Sequence, residues 1–181
     1  MGNVFLAVGL SDDERHRIAA VLSNEGLAQA VPGRRTRPQD WHLTLCFVGE
    51  ASETAIDLLA ERTEAHLDAA GFRVALNRIG AFPRPSKATV VFLGVEDPTG
   101  GLAALAGQCR AAAEDAGFDV DARPFVPHLT LSRVRPPTAV HKLIAREIPA
   151  IPLSVSAVSM FRTERVKGSV RYEPMHRFVL S

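Results

Sequence analysis

A chain of 181 residues, 46% apolar and 23% charged, is long enough to bury a sizeable core and too apolar to be a disordered segment. Its formal net charge of +1 supplies no global basic field of the kind that drives salt-sensitive duplex binding. The two cysteines, Cys46 and Cys109, have neither CxxC spacing nor a His-rich neighbourhood, which argues against a zinc site.

In chain order, "VFLAVGL" at 4–10 reads as a buried strand. "MGNVFLAVGL" lacks the basic n-region of a signal peptide, and no apolar run approaches the ~20 residues that span a bilayer. A cytoplasmic, reduced protein is expected. Ser11 and Glu14 form an S-x-x-E capping box opening a helix whose Ile18, Val21 and Leu22 share a face. "VPGRRTRPQD" is read as a loop and "WHLTLCFVG" as a strand. "SETAIDLLAERTEAHLDAAG" is read as a helix with Ser52 as N-cap and Gly71 just past its end.

"FRVALNRIGAF" and "ATVVFLGV" read as two strands joined by the turn-rich "PRPSK". A helix over "GLAALAGQCRAAAEDAG" is ended by Gly117, and "FVPHLTLSRV" is a strand. "TAVHKLIARE" is a short helix. "IPLSVSAVSMFRT" and "RYEPMHRFVLS" read as a closing antiparallel pair of strands. The order divides into two similar arms, each with one strand bearing the tetrad HLTL beside a helix.

That tetrad occurs twice, as His42-Leu43-Thr44-Leu45 and His128-Leu129-Thr130-Leu131. Strict alternation along a strand puts His42, Thr44 and Cys46 on one face and Trp41, Leu43, Leu45 and Phe47 on the other. It likewise groups His128, Thr130 and Ser132 opposite Leu129 and Leu131. The leucines pack against helices, and the His/Thr face needs another destination. Packing explains recurring leucines but not the recurrence of His with Thr.

Two such strands side by side would surround one centre with two imidazoles and two hydroxyls. The set suits phosphodiester cleavage. One imidazole takes a proton from water and the other gives one to the leaving oxygen, while the hydroxyls donate to phosphoryl oxygens. No metal or other cofactor is required, and a metal site is disfavoured because Thr is a poor ligand and no carboxylate accompanies the pair. His16, His66, His141 and His176 read as surface or structural residues. Basic clusters occur at Arg34, Arg35 and Arg37, at Arg133 and Arg135, and in "MFRTERVKGSVRYEPMHR". They matter together only if they converge in space.

With its two HxTx strands half a chain apart, the sequence resembles the two-histidine (2H) phosphoesterase superfamily, in the branch of RNA 2′,3′-cyclic phosphodiesterases, also called 2′-5′ RNA ligase-like proteins. "VFLAVGL", "WHLTLCFVGE", "ATVVFLGV", "RPFVPHLTLSRV" and "RTERVKGSVRYEP" occur in that family's order and cover nearly the whole chain. The resemblance implies one α+β domain over 1–181 made of two lobes. Two antiparallel β-sheets would form a central cleft, with helices on the outer faces and a pseudo-two-fold arrangement. It implies hydrolysis of RNA ends or nucleotides bearing a 2′,3′-cyclic phosphate to 2′-phosphomonoesters. A monomer with no protein or membrane partner is expected.

By analogy with the family, His42 is the proton donor to the leaving 3′ oxygen and His128 the base. The identical tetrads cannot assign these roles themselves. Thr44 and Thr130 would hold phosphate oxygens. Arg133 matches a basic position of this branch, but alternation places it on the face opposite His128, so a bulge or strand end after Ser132 would be needed to bring it round. Arg123 and Phe47 are weaker candidates, for RNA backbone and base contact, and Phe47 reads first as a core residue beside Leu45. Reversible 2′-5′ RNA ligation and a non-catalytic RNA- or nucleotide-binding module are the competing readings. Aromatics at 6% argue against an extended stacking platform for the latter.

Overall fold

The computed structural model describes residues 2–181. Nine strands and five helices succeed one another among these residues. They are β1 (Asn3–Gly9), α1 (Asp12–Asn24), α2 (Leu27–Ala30), β2 (Arg34–Arg35), β3 (His42–Glu50), α3 (Glu53–His66), β4 (Phe72–Phe82), β5 (Ala88–Glu96), α4 (Gly101–Asp115), β6 (His128–Thr138), α5 (His141–Ile144), β7 (Ile151–Val155), β8 (Ala157–Val166) and β9 (Ser169–Val179). The strands form two sheets, ordered β3-β1-β8-β9 and β2-β6-β5-β4-β7. Every pairing is antiparallel.

The two orders correspond: each HLTL strand (β3, β6) pairs with a central apolar strand (β1, β5), which pairs with the next (β8, β4). Sheet A ends on β3, sheet B adds only the short β2 beyond β6, and β3 and β6 approach each other across the cleft. Helix α4 packs on α3 and on β3, covering the face of sheet A away from the cleft. Leu43, Leu45, Leu129 and Leu131 are all buried in a hydrophobic cluster containing residues of both sheets and of helices α1, α3 and α4. Burying such a side chain is worth about 1.5–3 kcal/mol, so the leucines fix which way each motif strand faces.

Helix α1 begins as the sequence indicates. Ser11 Oγ accepts from Glu14 N–H, and Glu14 Oε1 accepts from Ser11 N–H at 2.9 Å. The other oxygen of the buried Glu14 carboxylate accepts from Ser154 N–H at 2.8 Å and ties the helix to β7. No helix among the described residues is long and apolar enough to cross a membrane.

Three boundaries differ from the sequence reading. Helix α3 ends at His66, because Leu67 turns extended and the backbone of Asp68 is held by the Gln108 side chain of α4 through two hydrogen bonds. Gly71 is therefore no helix cap; it lies where a Cβ would stand 3.2 Å from the Val155 carbonyl oxygen. The stretch 151–163 is two strands, with Ser156 as the break: β7 joins β4 in sheet B and β8 joins β1 in sheet A. The segment read as a loop before the first tetrad contains β2, which pairs with β6 in the register Arg34↔Arg133 and Arg35↔Ser132.

Candidate active site

Both tetrads carry an irregularity at the same place. On β3, Thr44 pairs with Ala7 and Cys46 with Leu6, so Leu45 is an extra residue. On β6, Thr130 pairs with Phe92 and Ser132 with Val91, so Leu131 is extra. One added residue reverses the alternation beyond it. Leu45 and Cys46 are both buried, as are Leu131 and Ser132, and the next residues, Phe47 and Arg133, emerge on the His/Thr side.

This corrects the faces expected from strict alternation. Cys46 and Ser132 leave the His/Thr face and enter the core. Phe47 is not a core residue but is 56% exposed. Arg133 reaches the cleft face through a bulge one residue earlier than the position after Ser132 that alternation required. Phe47 and Arg133 thus occupy equivalent places, each five residues after its histidine.

His42 and His128 share one hydrogen-bond arrangement. His42 Nδ1 lies 2.7 Å from the Asp40 carbonyl oxygen and His128 Nδ1 lies 2.8 Å from that of Val126. A carbonyl only accepts, so each Nδ1 donates, and each neutral ring leaves Nε2 as the basic nitrogen. The Thr44 hydroxyl donates to His42 Nε2 at 2.9 Å, and no matching bond from Thr130 to His128 is present.

Each imidazole stands in an aromatic enclosure. Around His42 are Phe5 at 5.0 Å, Tyr172 edge-on at 5.2 Å and Phe161 at 6.4 Å. Around His128 are Phe82 at 4.9 Å and Phe92 at 5.3 Å, both edge-on. Phe92 lies over Gly80, where a Cβ would come within 2.3 Å of its ring. A glycine stands opposite each histidine in the ladder, Gly9 across from His42 and Gly94 across from His128.

Burial lowers the pKa of His42 below 6.5; the hydrogen bond to Asp40 opposes it, the charge of His128 lowers it, the Asp40 carboxylate raises it and Arg133 lowers it. Burial also lowers His128, against its bond to Val126, and Arg133 lowers it further. The charge of His128 acts on His42 and that of Arg133 acts on both rings, which places the three groups near one another. Burial raises the Tyr172 hydroxyl, with Asp40 raising it and Arg133 and Arg37 lowering it.

The structure therefore brings together His42, Thr44, Phe47, His128, Thr130 and Arg133 as cleft-face residues. Arg123 is elsewhere in its interactions: it lies on the exposed loop before β6, with its guanidinium bonded to Asp121 at 2.6 Å. Sequence reasoning missed Phe5, Phe161 and Tyr172, and Phe82 and Phe92, as the walls of the two imidazoles. An aromatic residue in an apolar strand reads as core, and the continuous run "VFLAVGL" gives no period by which to separate its faces. It also missed the Arg37–Asp40 ion pair, 2.8 Å, beside His42.

Two antiparallel lobes, each presenting an HxTx strand to one cleft, define a two-histidine phosphoesterase. The chain belongs to the 2′-5′ RNA ligase superfamily, whose family profile matches residues 14–167. It is 31% identical to the RNA 2′,3′-cyclic phosphodiesterase of Escherichia coli K12, over 98% of this chain and 96% of that protein. It is 33% identical to the protein of the same description from Aeropyrum pernix, over 67% of this chain and 64% of that one. Among solved structures, E. coli LigT superposes with a TM-score of 0.82 at 28% identity, covering 99% of this chain and 98% of that one. TT0787 of Thermus thermophilus does so at 0.76 and 26%, covering 98% and 97%. LigT has also been solved with 3′-AMP.

Proposed function

We propose that this protein hydrolyses 2′,3′-cyclic phosphate ends of RNA, or the corresponding nucleotides, to 2′-phosphomonoesters, with His42 and His128 as the acid–base pair. The observation that carries the reading is the matched geometry of the imidazoles: each is tethered through Nδ1 to a carbonyl two residues earlier, leaving Nε2 for proton transfer. Water adds to phosphorus while the bond from phosphorus to the 3′ oxygen breaks. One imidazole accepts the proton of the water and the other, as imidazolium, protonates the departing 3′ oxygen; the first is left protonated and the second neutral, and exchange of one proton through solvent restores the starting state.

The surroundings favour His42 as the acid. Of the two rings it alone has a carboxylate, Asp40, among the charges that act on it, and that charge favours the protonated form. His128, beside Arg133 and without such a partner, suits the base. Thr44 and Thr130 donate to the non-bridging oxygens and Arg133 offsets the charge that builds on them. Phe47, exposed at the place equivalent to Arg133, offers an apolar face to a base.

Ligation to a 2′-5′ linkage uses the same groups in reverse, and no feature of the site favours it. Each chain carries both HLTL strands, which supports action as a monomer, and two cysteines without a disulfide fit a reducing cytoplasm. Both proton transfers are supplied by side chains, so the rate in EDTA is expected to equal that without it. The deciding experiment is product analysis with a cyclic-phosphate RNA oligomer. Wild-type protein should give a 2′-phosphate end. His42→Ala and His128→Ala should each lose about 100- to 10,000-fold in kcat with an unchanged circular dichroism spectrum. Wild-type rates in both variants would sink the assignment.

A further inference from the structure

Five aromatic rings wall the two imidazoles, and four of them are phenylalanines. The fifth, Tyr172, is the only tyrosine in the 181 residues. Enclosing an imidazole needs no hydroxyl, as Phe5, Phe161, Phe82 and Phe92 show. The Tyr172 side chain is half-buried, yet its hydroxyl makes no hydrogen bond among the described residues. A tyrosine hydroxyl drawn away from water usually has a partner.

The strand ladder aims this side chain into the cleft. Glu173, the next residue on β9, pairs across the ladder with Arg162 at 3.0 Å, and Arg162 also binds Glu53 in the first turn of α3. Glu173 therefore lies on the face that α3 approaches, and alternation turns Tyr172 to the other. There its ring stands edge-on to His42 and to Phe5, 5.2 Å from each. Opposite it on β8 is Thr163, whose hydroxyl accepts from Asn3 N–H at 2.8 Å and ties the ladder to β1. The charges that act on the Tyr172 hydroxyl come from both motif strands' surroundings: Asp40 and Arg37 precede β3, and Arg133 stands on β6. Burial holds the phenol above its ordinary pKa, so it keeps its proton and can donate.

We propose that Tyr172 is a further catalytic residue, whose hydroxyl donates a hydrogen bond to a non-bridging oxygen of the cyclic phosphate on the His42 side of the cleft. The inference rests on the hydrolytic reading above. As water adds to phosphorus, negative charge grows on the non-bridging oxygens, and a donor already in place stabilises it. In the free protein the Thr44 hydroxyl is engaged by His42 Nε2 at 2.9 Å, whereas that of Tyr172 is unengaged. The walls of His128 hold no such group, since Phe82 and Phe92 have no hydroxyl. Tyr172 neither gives up nor takes a proton, so the two imidazoles still carry both proton transfers.

Tyr172→Phe keeps the wall and removes only the hydroxyl. With adenosine 2′,3′-cyclic phosphate as substrate, its kcat should fall about 10- to 100-fold, while both limbs of the pH profile stay in place. Tyr172→Leu opens the wall as well, so it should lose at least as much and also move the limb set by His42 toward the ordinary 6.5. Wild-type kcat in Tyr172→Phe overturns the assignment and leaves Tyr172 as a wall alone. So does a loss in Tyr172→Phe that displaced limbs account for entirely, which would mean that the hydroxyl acts through His42. A second readout needs no turnover. With 3-fluorotyrosine in place of the single tyrosine, its one fluorine resonance should shift when inorganic phosphate is added. No shift at a phosphate concentration that inhibits hydrolysis overturns the contact. If the wild type hydrolyses no cyclic phosphate, the hydrolytic reading falls, and binding of inorganic phosphate then tests the contact by itself: weaker binding by Tyr172→Phe than by the wild type supports it, and equal binding overturns it.

Discussion

Each histidine of the site is set by one hydrogen bond and one enclosure. The carbonyls of Asp40 and Val126 fix which nitrogen is basic, and the aromatic walls take both rings out of water. Their lowered pKa values give the pH dependence a sign. The acid must hold its proton, which is lost as pH rises through the lowered value of His42. The base must be free, and it protonates as pH falls through the lowered value of His128. Both limbs of the free-enzyme profile therefore lie below the ordinary 6.5, and kcat/KM is expected to peak on the acid side of that value. The two apparent constants belong to the coupled pair. The profile of kcat should lie higher, because a bound phosphate anion favours the imidazolium. A kcat/KM maximum above about pH 7 would contradict the burial argument.

The tetrad becomes a working strand only with its bulge. Without the extra residue at Leu45 and Leu131, Phe47 and Arg133 would point into the core and two polar residues, Cys46 and Ser132, would face the cleft. Ser132 shows what the device costs: its hydroxyl is buried without a partner among the described residues. Strand β2 depends in turn on Gly33. Gly33→Ala demands a left-handed backbone of a residue with a Cβ and drives that atom into the Arg133 carbonyl. The expected loss is about 1–3 kcal/mol, seen as a lower thermal midpoint. Amide exchange at Thr36 should also accelerate, since its bond to Leu131 depends on the same contact. Unchanged protection of Thr36 would show that β2 does not rely on this glycine.

At the scale of the molecule, the two lobes share a hydrophobic cluster rather than meeting as separate bodies. Leu43 and Leu129 occupy equivalent places in it, and both are fully buried. Leu43→Ala and Leu129→Ala are each expected to cost about 2–5 kcal/mol in urea unfolding, and each should shift one cooperative transition. Two transitions, with each variant moving only one of them, would show that the lobes fold independently and that 1–181 is not a single domain. The same closeness of β3 and β6 couples the titrations of His42 and His128, so core and site are organised by one interface.

The sequence by itself determined the chemistry on offer. Two His/Thr pairs on apolar strands, the capped helix at Ser11 and the division into two arms are local patterns, readable because helix caps and apolar periodicity act over a few residues. Which residues share the cleft was decided by tertiary structure. The bulges that turn Phe47 and Arg133 outward are fixed by pairing with β1 and β5, partners distant in the chain. The break at Ser156, which sends β7 and β8 to different sheets, has the same origin. The walls of Phe5, Tyr172, Phe82 and Phe92, and the opposition of Arg34 to Arg133, arise from strand register, which no single segment encodes. An alternation rule assumes unbroken pairing, and a ladder with one extra residue reverses every side chain beyond it.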